Sequence, residues 1–129
     1  MAAVTKGTLR PVLVPGYEYN DKGQAKVAIA KGDLLIIAPD VPASGHEMVW
    51  DKAPVSTAEP AGIALKDAAI GATVSAGIQG EMDGYTGLSR GNLLYPSAAV
   101  AGGIDTAVLA ASTPRIRAVT ATRIRYAFV

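Results

Sequence analysis

Cysteine is absent from the 129-residue chain, so a disulfide framework, a thiolate zinc site and a cysteine nucleophile are all excluded. That composition suits folding in a reducing cytoplasm. Histidine occurs once, at position 46, and tryptophan and phenylalanine occur once each. Few groups are therefore at hand for acid–base chemistry or for a platform of rings that stacks bases. Neither sign of charge is in excess: 12 Lys and Arg against 11 Asp and Glu give a net charge of +1. No strong global field exists to attract nucleic acid or an anionic membrane, so a partner must be recognised by shape. Long apolar runs are missing too. No stretch approaches the ~18 consecutive apolar residues of a membrane helix, and the opening residues MAAVTKGTLRPVLVPG contain no apolar core of signal-peptide length. These readings predict a soluble protein that is not exported by the usual route.

What is present points to strands. Half of the residues are apolar and 18% are charged, the balance of a folded domain, and the length suits one core. Fourteen glycines and eight prolines punctuate the chain at short intervals, leaving few windows for an unbroken helix of three turns. Between them lie strand-length apolar runs: AKVAIA (25–30), LLIIA (34–38), AGIAL (61–65), TVSAGIQGEM (73–82), LLY (93–95), IRAVTA (116–121) and RIRYAF (123–128). In the fourth run Val74, Ala76, Ile78 and Gly80 alternate with Thr73, Ser75, Gly77, Gln79 and Glu81, as in a half-buried strand. Arg115 and Arg117 flank Ile116, and Arg123 and Arg125 flank Ile124, so each triplet reads as a strand with one wet face. Alanine-rich segments at 66–72 and 97–112 are the helical candidates; Gly102-Gly103 leaves the second at most a short helix around 104–111, and both read as loops or single turns. Residues 39–60 form the longest segment without periodicity and are expected to be a contact-making loop. Lys31-Gly32-Asp33-Leu34-Leu35 recurs as Arg90-Gly91-Asn92-Leu93-Leu94, which reads either as two turns with common turn residues or as a duplication.

Candidate chemistry is sparse. His46 has Glu47 and Asp51 nearby, but in an extended segment His46 and Glu47 point to opposite sides and no HExxH pattern supplies further ligands. His46 therefore reads as an exposed loop residue. GxSxG, GxxxxGK[ST] and GxGxxG are all missing, and turns account for the glycines of GEMDGYTGLSRGN (80–92). No catalytic residue, cofactor site or metal site is assigned. Arg115, Arg117, Arg123 and Arg125 suit a solvated strand face with salt bridges between subunits better than a phosphate track, because aromatic residues are not interleaved with them. Most of Tyr17, Tyr19, Tyr85, Tyr95, Tyr126 and Phe128 are expected in the core. The candidate contact residues are Trp50, placed in the long loop, Tyr85 and the four arginines.

The stretch PAGIALKDAAIGATVSAGIQGEMDGYTGLSRGNLLYPSAAVAGGI (60–104) resembles the capsid cement, or head decoration, proteins of tailed bacteriophages. A GIAL-like strand, a small-residue turn, an alternating strand ending in glycine and a GL..G..LY..A element follow in order, and VAIAKGDLLIIA (27–38) resembles the family's opening strands. The resemblance implies an all-β fold, a small β-barrel or β-clip-like sandwich of short antiparallel strands. It implies an N-terminal arm (1–10) followed by a single β domain (11–129), and no cofactor. It also implies a homotrimer seated outside the phage head, bridging subunits of the major capsid protein on a virion assembled in the host cytoplasm. Two other readings stay open: another β-rich virion module such as a fibre or baseplate part, and a small carbohydrate-binding or enzymatic β-barrel.

Overall fold

The computed structural model describes residues 4–128. Ten strands follow one another: β1 (Thr5–Val12), β2 (Tyr19–Ala25), β3 (Leu34–Ala38), β4 (Val49–Lys52), β5 (Gly62–Ala64), β6 (Thr73–Thr86), β7 (Leu93–Pro96), β8 (Ile104–Asp105), β9 (Ile116–Ala118) and β10 (Arg123–Ala127). The fold is all-β and sandwich-like, with no helix among the described residues. The alanine-rich segment 66–72 is turn and bend, as expected, whereas 97–112 carries the short strand β8, paired with β7, between its turns.

β6 organises the sheet. Its first half pairs with β2 on one side and β5 on the other, and the path β2–β4–β3–β5–β6 returns to β2, so the ladder of these five strands closes on itself. The second half of β6 leaves this ring and carries β1 on one edge and β10 on the other, with β9, β7 and β8 following β10. Pairing is antiparallel throughout except between β2 and β4, which are parallel. The sheet is therefore mixed where wholly antiparallel pairing was expected. Trp50, Leu34, Leu35, Ile63, Val74, Met82, Leu94 and Ile124 fill the core almost without solvent exposure.

One turn recurs before the strands. Asp33 N–H donates to Ala30 O and Asn92 N–H to Ser89 O, with positive φ at Gly32 (87°) and Gly91 (85°) in the third position. The same arrangement stands at 69–72 before β6 and at 100–103 before β8. A four-residue turn with positive φ at its third residue calls for glycine there, so this shared turn chemistry accounts for the KGDLL/RGNLL echo.

Three expectations need correction. The run 25–30 is not a strand of its own: Ala25 ends β2, Lys26 N–H makes a last bond to Trp50 O, and beyond it the chain keeps only the bridge Ile29–Ala68. The segment 39–60 is not wholly loop, since it contains β4 between β2 and β3. Residues 5–10, read as an arm, belong to β1 and pair with β6, while residues 1–3 lie outside the described residues. β1 is mostly exposed and its anchors are Leu9, buried in the core, and Lys6, whose Nζ lies 3.4 Å from the buried Asp33. Asp33 also accepts the Ala30 N–H at 2.9 Å and lies 3.5 Å from Lys52 Nζ. The aspartate of the KGD turn thus ties β1 and β4 to the start of β3.

Candidate functional site

Residues directly opposite on paired strands share a face, so the registers place two transverse rows of side chains on the second half of the sheet. One runs Val12 (β1), Glu81 (β6), Arg125 (β10), Arg117 (β9) and Leu93 (β7); the other runs Arg10, Asp83 and Arg123. Glu81 is only 6% exposed. Arg125 Nε donates to its Oε2 at 2.8 Å, Arg125 Nη2 donates to the same oxygen, and Arg123 Nη1 lies 3.7 Å from Oε1. Asp83 accepts from Thr122 Oγ1 at 2.8 Å and from Arg10 Nη2 at 2.9 Å. The Thr122 hydroxyl, assisted by the Gly84 N–H and the Arg10 guanidinium and opposed by burial, holds the Asp83 carboxyl below its ordinary range.

The arginines meet a groove at the β9–β10 end of this face. Its volume is about 320 Å³, and its walls include Tyr17, Leu93, Arg115, Arg117, Arg125 and Tyr126. Arg125 lies over the Tyr17 ring, 5.2 Å from the centroid, a cation–π contact that adds to the hold of Glu81. Tyr17 is fixed in turn, its carbonyl accepting from Gln79 Nε2 at 2.6 Å and its hydroxyl donating to Tyr126 O at 3.4 Å. Arg115 Nε lies 3.5 Å from Glu59, an exposed residue that also accepts the Thr113 N–H at 2.9 Å. The hydrogen bonds from Thr113, with Arg115 beside them, lower the Glu59 pKa. Arg117 is exposed and makes no ion pair among the described residues.

The candidate contact residues therefore divide. Arg115, Arg117 and Arg125 share the groove, and Arg123 stands beside it with its Nε buried and unpaired. Trp50 is a correction: it lies on β4 with 0% exposure, so it packs the core and cannot touch a neighbour. Tyr85 is a second correction, at 1% exposure, with its hydroxyl 3.8 Å from Met82 Sδ and its pKa driven upward by burial. Both side chains stand on the inner face of the sheet and pack into the single buried core cluster. His46 is half-buried, in a shallow pocket with Asp21, Lys22 and Glu47. Among the described residues no three metal-ligating side chains come together.

The chain matches no protein-family model and no curated protein.

Two features escaped the sequence reading. Glu81 and Asp83 are buried acids, although alternation put Glu81 on the wet face; the available signal was the second RIR triplet, whose Arg123 and Arg125 both meet Glu81 on the neighbouring strand. The second is a shallow groove of mixed character, where Val41, Val49 and Ile70 stand beside Gln24, Lys26 and Asp40. Val41 is 93% exposed and Ile70 72% exposed, on loops that carry no period.

Proposed function

We propose that this protein is a structural attachment module that works as a homotrimeric cement protein on the outside of a phage head. The carrying observation is that the segments resembling cement proteins are not scattered. They become β3, β5 and β6, which lie side by side, and β7, which joins them through β9 and β10. A rigid unit is thereby made from the resembling sequence, and its loops and its β9–β10 face remain for contact. Attachment of this kind draws its strength from many modest contacts repeated by symmetry.

The test is to mix the purified protein with undecorated, expanded capsids. Saturable binding at symmetric positions is the expected result, together with a trimer mass by light scattering; binding only to tails or vertices, or to no viral particle, overturns the proposal.

A further inference from the structure

The row Glu81, Arg125, Arg117, Leu93 is electrically unbalanced. Arg125 is matched by Glu81 on β6, but its opposite neighbour on β9 is a second arginine, Arg117. Like charges directly opposite on antiparallel strands destabilise the pair. Arg117 finds no carboxylate among the described residues, and Arg115, at the same groove, is held only by the exposed Glu59. The sheet thus maintains an excess of cation at one point of its surface, beside apolar wall atoms of Leu93, Pro114 and Tyr126. Glu81 and the Tyr17 ring already occupy Arg125, so the guanidinium left to meet an incoming anion is that of Arg117.

We infer that this groove receives one carboxylate side chain presented by a protein partner, with Arg117 as the principal ligand, Arg115 as the second, and the Leu93–Tyr126 wall packing the apolar residues beside that carboxylate. A polyanion would require cations spread along a track. Here they converge on one groove, and one of them, Arg115, is already paired with an acid, Glu59. A volume of about 320 Å³ lies at the low end of ligand sites and suits a side chain. The inference rests on the attachment reading only for the class of partner, a protein.

The test needs no capsid, so its outcome is independent of the capsid-binding experiment. The arginine Nε–Hε resonances of the intact protein are followed by NMR during titration with a capped leucine–glutamate–leucine tripeptide, its glutamine counterpart and inorganic phosphate. Saturable shifts at Arg117 and Arg115 with the glutamate peptide alone are expected. Arg117→Gln should weaken that binding about tenfold or more, the loss of one charge-assisted contact. Arg117→Lys should weaken it less, and neither variant should lower the melting temperature, because the side chain is exposed and Arg117→Gln only removes a like charge opposite Arg125. No response, an equal response to the glutamine peptide, or phosphate binding as tightly as the peptide overturns the inference. So does a free-protein oligomer that Arg117→Glu dissociates, which would make a second copy the occupant.

Discussion

Replacing Gly84 by alanine should detach the N-terminal strand from the sheet. Gly84 has a φ of 105°, and a Cβ built on it would stand 2.1 Å from Thr8 O and 2.8 Å from Leu9 Cα. Those are backbone atoms of β1, at the point where its register with β6 shifts between Lys6 and Arg10. No rotamer change relieves the overlap; β1 itself must move. A positive φ costs an L-residue about 1–2 kcal/mol, and forcing a methyl into filled space costs about 1–3 kcal/mol, so Gly84→Ala is expected to lose about 2–5 kcal/mol. For a domain of this size that lowers the melting temperature by about 8–20 °C. Gly87→Ala isolates the first contribution, because Gly87 also has positive φ (72°) but nothing within 4 Å of a built Cβ. It should lose only about 1–2 kcal/mol. Urea denaturation of both variants measures the difference, and a Gly84→Ala protein no less stable than Gly87→Ala would refute the reasoning.

Further outcomes follow from other parts of the fold. Trp50 is fully buried with an unpaired Nε1, so Trp50→Phe should cost far less than Trp50→Ala, which should lose about 3–5 kcal/mol by denaturant titration. Glu81→Gln removes the carboxylate shared by Arg123 and Arg125 and should lose about 1–3 kcal/mol, while a thermal melt unchanged from wild type would contradict the buried network. Ser56 and Ala111 sit at positive φ, 61° and 64°, so glycine at either should raise stability by about 0.5–1 kcal/mol in the same assay. Asp83 and Glu59 have folded pKa values below their ordinary 3.8 and 4.5. The unfolded chain therefore binds more protons in acid, and the stability they supply is present above about pH 4.5 and is lost as pH falls through the folded values. Calorimetry from pH 6 to pH 2 should show a decline that the Asp83→Asn, Glu59→Gln double variant makes shallower.

How much of this was legible follows the physics of each segment. β3, β6, β7 and the two RIR strands were readable because each is either a short, largely buried apolar run or a strand with one wet face. β4 was hidden because Val49-Trp50 are both buried while Asp51-Lys52 are half-exposed, which removes the period-two pattern, and prolines on both sides gave the segment the look of a loop. AKVAIA had a strand's composition but few of a strand's partners: Ala25 O accepts from Gly71 in a turn, Lys26 N–H makes a last bond to Trp50 O of β4, and beyond it only Ile29 bridges to Ala68. The groove was half legible. Four arginines on two triplets were visible, whereas their convergence depends on β9 lying beside β10 in one register, a non-local fact that the triplets themselves do not contain.

The dual role of β6 has a consequence for how the chain is made. Thr5 meets Thr86, and Tyr19 meets Gln79, so the first two strands wait for residues synthesised some sixty to eighty positions later before they gain any hydrogen-bonded neighbour there. Non-local pairing of this kind folds slowly, and a nascent chain halted before residue 73 would leave the ribosome exit with unpaired edges exposed, the state most open to misassociation. Closure of the five-strand ring thus waits for β6, and part of one β6 edge stays open until β10, the last strand made, is added.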